Sequence, residues 1–450
     1  MNESLVNVPN WLTTTFRIDG GPWFDLDAVE LLDYRQYLDL RRSVLTRRLR
    51  YRDRDGRTTS VVQRRFVAMH LPHVCALQTT IVAEDWSGTV EFRSALDGSV
   101  RNTLVDRYRD LASDHLERVH AAELPPDAVL LTMQTNRSRI PVAMAARTTV
   151  WFDGKPCNSH YRFFDRDGRT GHDITVDIAT GRPVTMEKTV TLFTGRDHAI
   201  SDPGDEATRW LPGFGRFDEL LDGHVLAWEH LWDRVGIDLA GHEDASRIVR
   251  FHLLHLLQTV SRNTADLDVG VPARGLHGEA YRGHIFWDEL FVFPVLNLRV
   301  PALTRSLLHY RYRRLPEARR AASAAGTGVR CSRGSRAATG VRKASNCTSI
   351  RDRGAGCPTP AGDNTTSASR SRTTCGSTTS TGDLEFLGDF GARCSWRSPG
   401  SSPASHRTIE RGPGSSSAAS SDRTNSIPAI LTHPTTAWTT THTPMSWRCG

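Results

Sequence analysis

The chain has 450 residues, enough for two or three domains, and no run of about 18 apolar residues, so no membrane span is expected. The N-terminus lacks a basic segment followed by an apolar run, which predicts no secretory signal and a cytoplasmic location. The net charge of +7 comes from residues 326–450, which carry 14 Arg, one Lys and seven acidic side chains; the nearly neutral remainder gives no reason to expect nucleic acid as a partner.

Residues 1–200 are predicted to form an antiparallel β-sandwich. Segment Asp173–Phe193 shows this most clearly, because two runs of alternating apolar and polar residues flank the turn sequence ATGRP. Val105–Ala122 is more polar, has helical spacing and is interpreted as an insertion. The other candidate strands recur at short spacing, as in large sandwiches; they are Thr59–Met69, Leu77–Ala83, Thr89–Arg93, Val129–Gln134 and Pro141–Phe152.

The periodicity becomes helical near Asp202. In Phe217–Arg234 the apolar residues lie on one side of a helix, and a helical linker is predicted over 201–245. Ser246–Val260 is apolar almost all round and is expected to be a buried helix at the start of a domain over 246–326. Three further helices are predicted, at Phe286–Leu298, Pro301–Tyr312 and Leu315–Ala325.

The densest group of chemistry-bearing residues lies in Gly270–Tyr310. Its glycines permit tight turns just before a helix, and the helix start then concentrates aromatic and ionisable groups. An aromatic ring can cover the C–H face of a sugar while a carboxylate accepts hydrogen bonds from its hydroxyls. An aromatic core with an acidic helix cap gives the same pattern, so spacing alone leaves both interpretations open. The residues are His284, Phe286, Trp287, Asp288 and Glu289.

Longer motifs make the resemblance to a known family specific. The segment GLHGEAYRGHIFWDEL at 275–290, followed by P-x-L-x-R-x-L-L-x-Y-R-Y-R-R-L-x-E-A-R, resembles glycoside hydrolase family 65. That family includes maltose, trehalose and kojibiose phosphorylases and some trehalose hydrolases. LVNVPNWL near the start and H-x-x-x-W-x-x-x-W-D at His224–Asp233 agree with it, and the resemblance covers about residues 1–326. FWDEL replaces the FWDTE that is commoner in maltose phosphorylases, which leaves the substrate open.

The resemblance implies an α+β multidomain fold. An N-terminal antiparallel β-sandwich, lacking its first strands, occupies 1–200 and is followed by the helical linker at 201–245. Residues 246–326 then form the first helices of an (α/α)6 catalytic barrel. Beyond 326 a disordered or non-native tail is expected.

The resemblance also implies which residues bind the sugar. The Trp-Asp pair of the FWD motif contacts the glucosyl unit in the family, a role that falls here to Trp287 and Asp288. Arg282, His284 and Glu289 are candidates for supporting this pair, although they could equally only cap and brace the helix. No catalytic residue is assigned, because the family's general-acid Glu, in a G-P-D-E-F/Y-H segment, is not found. No metal site is expected, and no cofactor beyond inorganic phosphate as co-substrate.

The last 125 residues have a different composition. Ser and Thr supply 41 of them and apolar periodicity is missing, which predicts a low-complexity tail over 327–450. Thr381–Ala392 is an exception that resembles a helix start, with Asp383 as N-cap. Six cysteines form no CxxC pair, which argues against zinc; they are Cys331, Cys347, Cys357, Cys375, Cys394 and Cys449. The Arg residues are scattered without interleaved aromatics, which disfavours a nucleic-acid-binding tail.

A shifted reading frame accounts for this tail. If each codon takes the last base of one residue and the first two of the next, Gly326–Asn346 permits YRGAMFPWQSGSDGREESQQ. Ser421–Gly450 permits GPDEFHTGYPDPSYDGVDNNAYTNVMAVW, which contains the family's acid segment. Trp438 followed by Thr439 forces the Asp codon of VDNNAY. We hypothesise that the frame is lost near 326, regained at the 381–392 island and lost again after it.

The expected function is that of a fragment of an inverting α-glucosidic disaccharide phosphorylase of the trehalose, maltose or kojibiose type. A Glu would protonate the glycosidic oxygen while phosphate attacks the anomeric carbon, giving β-glucose 1-phosphate. The partners would be a disaccharide and phosphate, and the chain itself is expected to be inactive. Family members are often homodimers, which leaves the oligomeric state of this chain open. The alternatives are a trehalose-type hydrolase of the same family, which a second carboxylate near the water would favour, and a non-catalytic carbohydrate-binding protein.

Overall fold

The computed structural model describes residues 5–324 apart from Asn158, His277 and Trp287. Trp287, the predicted tail at 327–450 and the Thr381–Ala392 island therefore lie outside the described residues. Within them, an antiparallel β-sheet domain is followed by helices, which confirms the predicted fold class.

Thirteen strands make up the first part of the described chain. The alternating segments identified in the sequence all form strands, because each can place its apolar side chains on one face of a sheet. Their bounds are β1 Thr14–Ile18, β2 Glu30–Asp39, β3 Val44–Arg52, β4 Thr58–Val67, β5 Val74–Ala83, β6 Gly88–Asp97, β7 Leu116–Leu124, β8 Ala128–Thr135, β9 Pro141–Phe152, β10 Lys155–Pro156, β11 His160–Arg166, β12 Arg169–Ile178 and β13 Pro183–Thr194.

The strands form two antiparallel sheets. The larger runs β2-β3-β4-β5-β13-β9-β8-β7, with β10 paired to β9, and the smaller runs β1-β6-β12-β11. The two strands that flank ATGRP lie in different sheets: β12 pairs with β6, whereas β13 pairs with β5 and β9. Apolar side chains of both sheets share one core, which contains Phe92 and Ile174 from the small sheet and Leu77, Ile81 and Val184 from the large one.

The interpretation of Val105–Ala122 as a helical insertion is wrong. Only Asp106–Tyr108 is helical, as a single 3-10 turn, and Leu116–Leu124 is strand β7. β7 pairs along its length with β8, with a bulge between Arg118 and His120. Tertiary pairing thus overrides a local helical spacing, which is common for strands at the edge of a sheet.

Six helices are described after the sheets. Their bounds are α1 Pro203–Trp210, α2 Phe217–Val235, α3 Glu243–Thr259, α4 Glu289–Arg299, α5 Pro301–Arg313 and α6 Leu315–Ala324. The Asp202 carboxylate caps α1 by accepting from the Gly204 and Asp205 amides, which is why the helical part begins there. The expectation that Ser246–Val260 is buried all round is wrong, because Ile248 is 58% and Phe251 42% exposed.

A buried lysine joins the two sheets. The Lys188 side chain lies in the interior and its Nζ donates to the carbonyl oxygens of Trp11 and Ala95, both at 2.7 Å. Burial lowers the pKa of Lys188 to about 7, since a low-dielectric interior disfavours the charged amine. A neutral amine has two N–H donors, so these two carbonyls satisfy it. The contact fixes the VNVPNW segment to the sandwich.

His224 attaches α2 to the large sheet. Its Nδ1 accepts from the Met69 amide at 3.1 Å, so the proton must be on Nε2, which donates to the Arg42 carbonyl at 2.8 Å. Burial is the main cause that lowers the pKa of His224 to about 4. Apolar contacts continue from this helix to α3 through Trp228, Leu231 and Leu257.

The His224 contact predicts a pH-dependent stability. Because the pKa in the folded chain is about 4 and the unfolded value is about 6.5, unfolded chains bind the extra proton and stability falls between these values as pH drops. The loss approaches about 3 kcal/mol at the acid end. Urea unfolding from pH 7 to pH 4 measures it. His224→Gln keeps an acceptor and a donor, and it should flatten the dependence of the unfolding free energy on pH. His230→Gln, at an exposed site on α2, is the control. An equal pH dependence in the two variants would contradict the assignment.

Candidate functional site

The turn before α4 has an unusual backbone. Tyr281, Arg282 and Gly283 occupy the left-handed region in succession, with φ of 61°, 55° and 71°. Two of the three are not glycine, and each such residue costs about 1–3 kcal/mol unless its surroundings hold it. The turn carries the YRG of the sugar motif, so the strained backbone coincides with the candidate site.

Asp288 stands at the first turn of α4, in helical conformation, with its side chain half-buried. It makes no cap hydrogen bond to the helix. No hydrogen bond or ion pair joins its carboxylate to another residue in the described part of the chain. The carboxylate therefore keeps its acceptor capacity for a ligand.

Glu289, one residue later, is used inside the protein. It is 1% exposed, and its carboxylate accepts from Arg311 Nε at 2.5 Å. Burial raises the pKa of Glu289, and the Arg311 guanidinium opposes that rise. Arg311 Nη2 also donates to the Phe286 carbonyl at 2.7 Å. The pair braces α4 against α5 and fixes the backbone at the first residue of the FWD motif.

Arg282 and His284 lie on the approach to α4. Arg282 lines a surface cavity of about 250 Å³ together with Asn7, Asn102, Leu104 and Glu279. The His284 amide donates to the Tyr281 carbonyl at 2.9 Å, and its own carbonyl accepts from the Ala273 amide at 3.1 Å. The His284 ring meets Phe286 edge-on, with centroids 5.9 Å apart.

Two residues that organise this region, Arg311 and Glu279, are not among the predicted site residues. Arg311 was visible as the Arg of Y-R-Y in the motif after the FWD segment, but its partner could not be deduced from spacing. Glu279 belongs to GLHGEAYRG, and its carboxylate accepts from Asn7 Nδ2 at 2.8 Å and from the Leu104 amide at 2.9 Å. Both donors come from the sheet domain, 272 and 175 residues away in sequence.

Neither a metal-ligating cluster nor a membrane-spanning helix is found among the described residues. Among residues 5–324, with their three gaps, no group of three or more His, Cys, Asp or Glu side chains could hold a metal ion. None of the described helices is long and apolar enough to span a membrane. Cys75 and Cys157 are both free thiols.

Comparisons with known proteins identify the two parts of the chain separately. Residues 1–231 match the N-terminal domain of glycosyl hydrolase family 65, and residues 250–330 match the central catalytic domain of that family. The catalytic-domain match includes Arg282, His284, Asp288 and Glu289 and ends close to residue 326.

Individual relatives agree. An uncharacterised glycosyl hydrolase of Mycobacterium tuberculosis is 58% identical over 325 residues, which are 72% of this chain and 24% of the relative. The kojibiose phosphorylase of Halothermothrix orenii is 28% identical over 71% of this chain and 41% of its own length. A solved structure from the human microbiome, provisionally named a kojibiose phosphorylase, superposes with a TM-score of 0.67 at 16% identity, over 86% of this chain and 48% of that one.

The chain thus spans less than half the length of these relatives. The likeness to the solved structure supports the fold, while the family matches cover most of the residues described here. The sheet domain is followed by the helices and the FWDEL motif, and both parts match models of one family in that order. The chain therefore belongs to glycoside hydrolase family 65.

Proposed function

We propose that the chain binds the glucosyl unit of an α-glucosidic disaccharide through Trp287 and Asp288. The single observation that carries this is the contrast between adjacent carboxylates. Glu289 is buried and paired with Arg311, whereas Asp288 is half-buried without a partner among the described residues. Carboxylate oxygens that accept from adjacent sugar hydroxyls form strong, charge-assisted hydrogen bonds.

The reaction of the intact family member would be phosphorolysis with inversion. A general-acid Glu protonates the glycosidic oxygen while phosphate attacks the anomeric carbon, and the leaving sugar departs with the proton. Relatives named kojibiose phosphorylase, trehalose 6-phosphate phosphorylase and α,α-trehalose phosphorylase support this class of substrate. This chain would retain the sugar-binding pair without the acid or the phosphate site, and a cytoplasmic location would supply both substrates.

Asp288→Asn tests the assignment. The change keeps the size of the side chain and removes its charge, so glucose affinity should fall by about tenfold or more, as expected for loss of a hydrogen bond to a charged group. Isothermal titration of the 450-residue chain with glucose, kojibiose, trehalose and maltose measures this. Asp266→Asn, at an exposed site, is the matched control. Equal affinity in both variants, with unchanged melting temperatures, would refute the proposal.

A further inference from the structure

The turn Tyr281–Gly283 is held from outside its own domain. Beside the Glu279 contacts, the Leu5 amide donates to the Arg282 carbonyl at 3.0 Å, and the Tyr281 amide donates to Tyr108 Oη at 3.2 Å. Every one of these partners belongs to the sheet domain. Their combined hydrogen bonds offset the cost of the left-handed residues.

The same turn leads directly into the sugar motif. The Tyr281 ring meets the Phe286 ring edge-on, with their centroids 5.6 Å apart. Ile285, which precedes Phe286 in the sequence, is fully buried. Phe286 is held from the other side by Arg311. A change in the turn is therefore transmitted to Phe286, and Asp288 follows two residues later.

We propose that Glu279 is a positioning residue through which the sheet domain sets the glucose-binding segment; this rests on the proposed function of Asp288. Its carboxylate receives one N–H on each oxygen, from Asn7 and from Leu104. Each oxygen is engaged by a donor from the sheet domain, so Glu279 is suited to holding the turn. The N-terminal segment at 5–7 and the loop at 101–108 are the parts of the sheet domain that contact Glu279 and the turn.

Glu279→Gln is the decisive variant. An amide has one oxygen and one NH2 group, so it can accept from the Leu104 amide but then points donors at the Asn7 Nδ2 group. We expect glucose affinity to fall by about two- to thirtyfold, the range typical of coupling through a packed network. Glu229→Gln, on α2 with no partner among the described residues, should leave affinity unchanged.

A double variant that exchanges the donor and the acceptor between positions 7 and 279 distinguishes a positioning role of Glu279 from a role in stability alone. In the double variant Asn7→Asp with Glu279→Gln, donor and acceptor exchange places, so the link to Leu104 and the link between the two side chains can both form. Asn7 Nδ2 also donates to the Arg101 carbonyl at 3.0 Å, and that contact is lost. Glucose affinity of the double variant should therefore return to within about threefold of the starting value. The single Asn7→Asp variant should not reach that affinity.

Amide hydrogen exchange supplies a readout that does not depend on sugar binding. In Glu279→Gln, peptides covering 279–289 should exchange at least about tenfold faster, while peptides from the sandwich strands stay protected. If the starting chain binds no glucose, the proposed function fails, and exchange alone decides the positioning role. Unchanged exchange over 279–289, or unchanged affinity in a chain that does bind glucose, would overturn the inference.

Discussion

The 450-residue chain is expected to release no detectable glucose 1-phosphate from kojibiose, trehalose or maltose, whereas a chain expressed from a restored reading frame should do so readily. We propose that restoring the frame after residue 326 and again after the 381–392 island supplies the acid segment GPDEFH. Loss of a general acid alone costs about 10²–10⁴-fold in rate, and the phosphate site would be missing as well. Measuring phosphate-dependent product by a coupled assay tests this directly.

Two controls make the result specific. In the restored chain, the Glu encoded across the codons of Thr424 and Asn425 should be essential, so its replacement by Gln should abolish turnover. Omitting phosphate distinguishes phosphorolysis from hydrolysis, since a trehalose-type hydrolase would still release glucose. Release of glucose 1-phosphate by the unrestored 450-residue chain would contradict the proposal. So would a gene sequence that confirms the frame together with relatives that carry the same tail.

The match to the catalytic domain ends close to the point at which the composition of the chain changes. That match ends at residue 330, a few residues after the point at which composition, charge and cysteine content change together. The family match and the composition of the chain thus change within the same short stretch.

Short apolar runs rich in β-branched residues are enough to predict the strands in the middle of the sheets. The prediction for β9 has its observed bounds, and those for β5 and β6 lie within a few residues, although burial alternates over only part of each strand: β9 contains five consecutive buried residues and β5 four. β2 and β3 were not predicted. β3 carries four arginines, three of which lie between its buried residues Val44, Thr46, Leu49 and Tyr51. β2 is an exposed edge strand with little buried surface to mark it.

The candidate site was predictable only as far as its local motif. The motif identified Asp288 and Glu289 but could not say which carboxylate is buried, since that depends on Arg311 from the next helix. Contacts of the Asn7–Glu279 kind join residues hundreds of positions apart, and no sequence spacing encodes them. The strained turn was also hidden, because Tyr281 and Arg282 are not residue types that favour left-handed backbone.

The buried Glu289–Arg311 pair should be the most sensitive point of the helical segment. Arg311→Met would leave Glu289 inside the protein without its charge partner, and breaking such a pair from one side costs about 3–5 kcal/mol. Urea unfolding followed by tryptophan fluorescence measures the loss. Arg313→Met is the matched control, because Arg313 is largely exposed and its pairing with Asp268 is worth about 1 kcal/mol or less.

The sign of the pH dependence separates charge from packing. Burial already raises the pKa of Glu289, and removing Arg311 takes away the group that opposes this rise. A raised pKa in the folded state means that stability is retained at acid pH and lost as pH increases. Arg311→Met should therefore be more damaging at pH 8 than at pH 5. Adding Glu289→Leu should recover much of the loss at both values, since an apolar replacement of a whole buried pair is often neutral. A loss that is equal at the two pH values, with no recovery in the double variant, would show that Arg311 acts through its packing alone.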